Sequence, residues 1–514
     1  MFRVWNVFAI LLTLLSVTVV SFAQDPQFNV NHTPYLQLGN ATIGSATDQI
    51  EILWQTTPAA AGGTQDSFTV EYRQVGSPTW INAGSPSALN TGVEGRIIHS
   101  SNITGLSYNT RYKYRVTHTR AGKMVAKYQE TFKSRLAPGD NTPFSFAAYG
   151  DSAGLSTIDN FRSVQNRINL SDASFALLLG DNAYNSGTHP EYDARFDPSI
   201  VPEATQWNSG HIDYAAIGNH DNSTNSGQPF RENYSNPLNG VITGQQLEEN
   251  YSFEYGDVYF ATIDTNFRHN ATALDNQLDW LVADLNASTA QWKIVYGHHP
   301  IAGSPDKGEN PSQEYYKKIV ERLGKDGAGV DLFMQGHSHL YHWTYPLLGE
   351  TGGVADFVND TDKDYAKGAG LVQIVAGVGG RSLRNGDFSV FPFNAAGYSN
   401  ETTPPVEFGF ALVDVTPTRL TVSYVAAADG AVIDSFSITE IADFDGDFDF
   451  NGVVDGEDFL LWQRDPSVGS LTDWETNYGM VAPLSASLAA VPEPTTSALA
   501  LAALCLAMSR RRSF

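Results

Sequence analysis

Five short motifs occur in a fixed order, each after a strand-like apolar run: Gly150-Asp151, Gly180-Asp181-Asn182-Ala183-Tyr184, Gly218-Asn219-His220-Asp221, Gly297-His298-His299 and Gly336-His337-Ser338-His339. Together they offer carboxylate, phenol, amide and imidazole donors, enough for two adjacent metal ions. Two metals about 3.5–4 Å apart can cleave a phosphate ester if one group bridges them and a position stays open for water and substrate. Carboxylates bridge well, and Asp181 is the candidate, because Tyr184 follows it three residues later. A phenolate suits ferric iron. Asn219 and the imidazoles suit a divalent ion. His337 and His339, two residues apart in a strand-exit loop, can serve different metals. The only cysteine, Cys505, lies near the C-terminus, so no intrachain disulfide forms and thiolate ligation is excluded.

The elements that must position these residues are legible from periodicity. Phe175 to Leu179, Tyr214 to Ile217, Ile294 to Tyr296 and Leu332 to Met334 read as buried strands. Leu274, Leu278, Leu281 and Leu285 fall on one helix face, as do Tyr316, Ile319, Val320 and Leu323, with Gly324 placed as a C-terminal cap. Strands alternating with helices predict a layered α/β (α+β) domain over residues 139–441, its ligand site outside the carboxyl ends of the strands. Residues 24–138 instead alternate with period two, at Ile50, Ile52 and Trp54, at Phe68, Val70 and Tyr72, and at Tyr112, Tyr114 and Val116. That pattern predicts an antiparallel β-sandwich, joined through the turn-forming Pro138-Gly139-Asp140-Asn141.

The five motifs taken together resemble those of the purple acid phosphatases, within the calcineurin-like metallophosphoesterases. Tyr184 is the position that separates this family from most other metallophosphoesterases. Tyr192-Asp193-Ala194-Arg195-Phe196, Ala376-Gly377-Val378-Gly379-Gly380 and Phe408-Gly409-Phe410-Ala411 extend the resemblance. The segment ahead of the motifs resembles the fibronectin type III-like domain of plant and bacterial members, and is expected to pack beside the catalytic domain as a structural module. The resemblance implies an acid phosphatase acting on small-molecule phosphate monoesters. Its ferric site would take Asp151, Asp181, Tyr184 and His339. Its divalent site, for iron, zinc or manganese, would take Asp181, Asn219, His298 and His337. Metal-activated hydroxide attacks phosphorus in line with the leaving group. His220 is the expected pocket donor, binding a phosphate oxygen or protonating the leaving alkoxide. Asp221 either orients His220 or holds it protonated, and His299 either faces the pocket or packs beside His298. Two features depart from the family pattern. Pro300 to Tyr315 contains no histidine, where relatives often carry one; Ser304, Asp306 and Lys307 stand there instead. After the last motif the chain reads Tyr341-His342-Trp343 rather than Tyr-Glu-Arg.

The 514 residues exceed one ordinary core. With 31 Lys and Arg against 56 Asp and Glu, the net charge of −25 disfavours nucleic acid and anionic membrane surfaces as partners. Residues 1–23 read as a secretory signal: Arg3, an apolar run from Val7 to Leu15, then Ser21-Phe22-Ala23. Residues 491–514 combine Val491-Pro492-Glu493-Pro494, an apolar run and Arg510-Arg511-Arg512. They resemble a PEP-CTERM sorting signal, which implies transient membrane association and a place in the periplasm or at the surface of a Gram-negative bacterium. Within 443–480, Asp447, Asp449, Asn451, Gly452, Asp455 and Asp458 occupy places one, three, five, six, nine and twelve of a calcium loop. Aspartate at the last place makes the loop resemble a dockerin repeat, with calcium as the ion and a cohesin-like partner implied. Two other readings stay open: a phosphodiesterase or nucleotide pyrophosphatase on the same core, and a non-enzymatic surface or matrix protein.

Overall fold

The computed structural model describes residues 31–57, 66–241, 247–308, 313–351, 354–389, 391–440, 445–448 and 452–480. The expected export signal, the sorting tail, Asp449 and Asn451 lie outside them. The chain divides into two units, Met1–Thr439 and Glu440–Phe514.

The first unit opens with two four-stranded sheets. One runs Asp48–Thr56 between His32–Gln37 and Ile97–Leu106, with Ser87–Asn90 at its edge; the other runs Asp66–Gln74 and Arg111–Arg120 between Ile81–Asn82 and Lys123–Lys133. All pairs are antiparallel. The period-two residues Ile50, Ile52, Trp54, Val70, Tyr114 and Val116 are buried in one shared core, as alternation requires.

The motif-bearing region forms two seven-stranded sheets. In the first, Phe144–Tyr149, Ala173–Leu178 and Asp213–Ala215 run parallel, and antiparallel strands Gly409–Thr416, Arg419–Ala426 and Val432–Thr439 extend it. In the second, Val258–Thr262, Trp292–Tyr296, Leu332–Gln335 and Val372–Ala376 run parallel. The sheets pack face to face through aromatic rings: Phe260 meets Phe146 edge-on at 5.3 Å between centroids, and Tyr214 stacks on Phe253 at 3.8 Å. Helix Ile158–Asn169 covers the outer face of the first sheet through Phe161, Val164 and Ile168. Ala271–Ala287 and Gln313–Leu323 cover the second, burying the leucines and the Tyr316–Leu323 stripe read from the sequence. Gly324 does not cap that helix in the left-handed region; its N–H still donates to Val320 O at 2.9 Å. The layering is therefore helix, sheet, sheet, helix.

A charged lock joins the N-terminal sheets to the motif region. Asp193, on helix His189–Phe196, accepts from Arg96 Nη1 at 2.6 Å and Nη2 at 2.8 Å, and lies 2.7 Å from His32 Nε2. Burial would raise the Asp193 pKa, but the bonds from Arg96 and His32 win and pull it down to about 2. Its folded pKa lies below the unfolded value near 3.9, so its contribution is complete above about pH 4 and is lost as pH falls through about 2. Asp193→Asn is therefore expected to cost about 3 kcal/mol at pH 5, since it leaves the buried Arg96 guanidinium with only the exposed Glu94 as an anion. The difference should vanish toward pH 2. Denaturant melts of both proteins at pH 5 and pH 2.5 check this, and an equal loss at both pH values would refute the assignment.

The second unit contains helices Gly456–Arg464 and Leu471–Asn477, joined by Phe459 against Trp474 at 4.9 Å. Asp447 and Asp458 are buried. Asp447 Oδ2 accepts Gly452 N–H, Asp458 accepts from Phe448 and Asp455 N–H, and Asp455 caps the first helix. Gly452 has φ +81°, a left-handed conformation that favours glycine. No helix among the described residues is long and apolar enough to cross a membrane.

Candidate metal centre

All five motifs leave the carboxyl ends of parallel strands and meet at one edge where the two sheets face. Asp151 follows Phe144–Tyr149, Asp181 follows Ala173–Leu178, Asn219 follows Asp213–Ala215, His298 follows Trp292–Tyr296, and His337 follows Leu332–Gln335. Asp151, Asp181 and His337 adopt φ of +57°, +52° and +68°. Left-handed backbone at three non-glycine donors is strain concentrated at one place, held by the packing around it. Close approach explains two of the motif glycines. A Cβ on Gly218 would lie 2.1 Å from Asp181 N, and one on Gly180 would lie 2.6 Å from the His298 ring.

The donors fall into two groups that share Asp181. On one side, Tyr184 Oη donates to Asp151 Oδ1 and lies equally close, 2.9 Å, to Asp181 Oδ2, while His339 Nε2 stands 3.2 Å from Asp151 Oδ1. On the other, His298 Nε2 stands 3.3 Å from Asp181 Oδ1 and 3.1 Å from Asn219 Oδ1, and His337 Nδ1 stands 3.1 Å from that same amide oxygen. Nitrogen or oxygen donors of Asp151, Asp181 and His298 lie within 4.8 Å of one another, as do those of His298, His299 and His337. The contacts thus gather Asp151, Asp181, Tyr184 and His339 on one side, and Asp181, Asn219, His298 and His337 on the other.

The surroundings suit cations. His298 Nδ1 donates to Leu179 O and His339 Nδ1 to Ser382 O, both at 2.9 Å. Each bond fixes the tautomer and leaves Nε2 as a lone-pair donor directed inward. Burial raises the pKa of Asp151 and of Asp181, but the facing imidazoles outweigh it: His339 and His298 hold Asp151 well below the carboxylate range, and His298 brings Asp181 down to about 2. Burial and the two carboxylates push the Tyr184 phenol well above its ordinary value, so its proton leaves only when a cation offsets that charge. A buried set of two anions, one phenol, one amide and three imidazoles, with no thiolate, fits a pair of hard or borderline metal ions.

The geometry decides against the expected role of Asp221 and places His299 at the second of its two expected positions, beside His298 at 4.8 Å between ring centroids. Asp221 neither orients His220 nor faces the pocket. Its buried carboxylate accepts from Asn182 N, Asn182 Nδ2, Ala183 N, Tyr192 Oη and Gly218 N, which ties the second motif to the third. Those five donors leave it no capacity for an imidazole. His299 is buried, with Nδ1 2.8 Å from Thr265 Oγ1 and its ring 4.3 Å from that of His337. Burial, then the neighbouring His298 and His337, push it well below the usual range. It lies inside the cluster, with donor atoms of His298, His299 and His337 within 4.8 Å of one another, rather than at the mouth. His220 does stand at the mouth: its side chain is 36% exposed, and Nε2 lies 3.8 Å from Asp181 Oδ2.

Several functional neighbours were missed from the sequence. His220 Nδ1 donates to the carbonyl of Asn185, directly after the second motif. Arg381 donates to Asn185 Oδ1 at 3.0 Å and lays its guanidinium over the Tyr184 ring at 4.7 Å. Its position just after Gly379-Gly380 was a signal available to reading. Arg195 is completely buried and bonds Ser152 Oγ at 2.5 Å and Asn182 O at 3.4 Å, joining the loops of the first and second motifs. His211 stacks on Trp207 at 4.0 Å, and His342 is buried beside Asn394.

Comparison with known proteins agrees with this geometry. Residues 144–341 match the calcineurin-like phosphoesterase family, and residues 370–435 match the family described as iron/zinc purple acid phosphatase-like protein C. The chain is 26% identical over 191 residues to purple acid phosphatase 17 of Arabidopsis thaliana, covering 33% of this chain and 53% of that protein. It is 24% identical over 317 residues to tartrate-resistant acid phosphatase type 5 of the rabbit, Oryctolagus cuniculus, covering 57% of this chain and 90% of that protein. It therefore spans about half the length of the Arabidopsis relative. In fold it resembles purple acid phosphatase PPD1 from yellow lupin (Lupinus luteus) seeds, with a TM-score of 0.61 at 18% identity over 79% of this chain and 74% of that one. It also resembles PhoD, with a TM-score of 0.56 at 14% identity over 80% of this chain and 91% of that one. Residues 144–341 thus match a calcineurin-like phosphoesterase domain, and residues 370–435 match the purple acid phosphatase-like C-terminal family.

Proposed function

We propose that this chain is a secreted acid phosphatase that hydrolyses small-molecule phosphate monoesters at a dinuclear centre of Fe(III) and a divalent iron, zinc or manganese. The observation that carries this reading is the sharing of Asp181 between two complete donor sets, one with a phenol and one without. Asp151, Asp181, Tyr184 and His339 would hold the ferric ion, and Asp181, Asn219, His298 and His337 the divalent one. When bound, the two ions supply a hydroxide nucleophile below neutral pH and offset charge developing on the phosphoryl group.

The chain's own residues do the rest. The Asn185 carbonyl holds His220 through Nδ1–H and leaves Nε2 turned toward Asp181. As the P–O bond to the alcohol breaks, the leaving oxygen takes the Nε2 proton of a doubly protonated His220, which keeps its Nδ1–H on the Asn185 carbonyl. Asp221 and Arg195 keep the loops in register, and the Asp193 lock stays ionised through the acid range in which the enzyme would work.

His220→Ala is expected to lower kcat by roughly 10²–10⁴-fold with both metals retained. Asn219→Ala should instead lose metal, because the amide oxygen stands between His298 and His337. Metal analysis beside steady-state kinetics separates the two, and lost metal in the His220 variant would refute this division. The reading as a whole is tested by turnover of a chromogenic phosphate monoester and of the matching diester across acid to neutral pH. A folded protein loaded with both metals that is inactive on both would refute it; preference for the diester would make it a phosphodiesterase.

The remaining segments are assigned on sequence. Residues 24–138 are a fibronectin type III-like module, supported by their two antiparallel sheets. The 443–480 segment is a dockerin-like calcium loop, supported by the buried Asp447 and Asp458 and by the turn at Gly452; a cohesin-like protein is its partner. Residues 1–23 export the chain, and 491–514 attach it transiently to the membrane as a PEP-CTERM signal, which places the mature protein in the periplasm or at the surface of a Gram-negative bacterium.

A further inference from the structure

The loop after His298 lacks the histidine that the family pattern led one to expect, and a lysine reaches the site from it. Lys307 Nζ lies 3.0 Å from both Nδ1 and Nε2 of His337. The reach is built into the loop. Lys307 N–H donates to Ser304 O at 3.1 Å, which closes a turn. The next side chain back, Asp306, is fully buried, with Oδ2 accepting His339 N–H at 3.3 Å and Arg384 Nη1 at 3.7 Å from the same oxygen. The turn is thus pinned to the last metal-binding motif, and its lysine is carried over His337. Among the described residues its hydrogen-bond partners are the His337 ring nitrogens alone, and no carboxylate lies within ion-pair distance of it. The carboxylates of Asp151, Asp306 and Asp181 act on it from a distance, but none is paired with it, so this half-buried ammonium at the mouth of a site for dianionic esters is open to an anionic ligand. His220 stands at the mouth on the Tyr184 side, its ring 4.5 Å from that of Tyr184, while Lys307 stands on the His337 side.

Resting on the phosphatase reading, we propose that Lys307 binds the substrate's phosphoryl group, its ammonium donating to a non-bridging oxygen. An ammonium is a compact point charge on a flexible four-carbon stem, so it can leave the His337 ring and meet a phosphate oxygen without moving the loop. A charged donor of this kind serves affinity for the phosphoryl group more than proton transfer, which divides its role from that of His220. Bonds to a charged acceptor are stronger than neutral ones.

The test uses the full chain loaded with both metals, with inorganic phosphate as the probe. Phosphate binding is measured by calorimetry, and metal content is measured on the same samples. Lys307→Met should keep both metals and a wild-type melting temperature, weaken phosphate binding at least about tenfold, and raise KM more than it lowers kcat. Lys307→Arg, which keeps the charge, should restore phosphate affinity to within a few-fold of wild type. Unchanged phosphate affinity in metal-loaded Lys307→Met overturns the assignment. So does loss of metal in that variant, since the lysine would then be a support for His337. A wild-type protein that holds both metals but binds no phosphate overturns this inference together with the phosphatase reading. Tight phosphate binding by wild type and Lys307→Met alike overturns the lysine's role alone.

Discussion

Asp181→Asn is expected to abolish loading of the paired metal site and to lower kcat/KM by at least about 10⁴-fold, or about 5.5 kcal/mol of transition-state stabilisation. Both carboxylate oxygens are already committed, Oδ2 toward Tyr184 and Oδ1 toward His298 and the His220 N–H. An amide in the same place offers one neutral oxygen and one NH₂, so it cannot join two cations, and a buried negative charge disappears from the centre. The backbone is not the source of the loss. Asp181 sits at φ +52°, a conformation that asparagine adopts as readily as aspartate. Metal analysis, circular dichroism and turnover on one preparation check the prediction. A folded Asp181→Asn variant that retains both metals would remove Asp181 as the shared ligand.

Arg195→Met should have the largest effect on stability, about 3–5 kcal/mol at neutral pH. The guanidinium is completely buried, bonded to Ser152 Oγ, Tyr149 Oη at 3.2 Å and Asn182 O, and stacked 5.0 Å from the Phe161 ring. Methionine preserves much of the stem but satisfies none of those acceptors. Asp213 adds a pH dependence. Its contact with Arg195 is long, 3.5 Å, and its firm bond comes from Trp207 Nε1 at 2.8 Å. Burial therefore dominates and pushes Asp213 up to about 6 despite the nearby cation. Its folded pKa exceeds the unfolded value near 3.9, so the protonated form is favoured on folding and stability falls as pH rises toward and through the folded pKa. Removing Arg195 raises that pKa further, so the variant should lose more stability at pH 7.5 than at pH 5. Denaturant unfolding at both values measures it, and a smaller loss at pH 7.5 would contradict the role assigned to Asp213. Because Arg195 joins the loops that carry Asp151 and Asp181, metal affinity should fall as well.

The candidate metal donors were legible because their chemistry restricts residue type. A ligand must be an Asp, Tyr, Asn or His, and it must leave a strand end; Asp151, Asp181, Tyr184, Asn219, His298, His337 and His339 satisfied both conditions in the order of the chain. Periodicity located the strands for the same kind of reason: a residue buried on one face of a sheet must recur every second position, as Ile50, Ile52 and Trp54 do. Asp221 was misread because adjacency to His220 suggested a pair, whereas the chain turn sends its carboxylate to Asn182 and Tyr192. Nothing local marks Asp193 as the anion for Arg96, 97 residues away.

Taken alone, the order of residues determined which groups can hold metal, where the strands end, and which faces are apolar, since these follow from side-chain chemistry and backbone period. The tertiary structure decided which donors share Asp181, which nitrogen of His298 and of His339 is free, what the Asp221 carboxylate binds, and that Lys307 reaches His337. Those are matters of contact between segments remote in sequence, and a contact of about 3 Å depends on how whole sheets and loops pack, which no local pattern encodes.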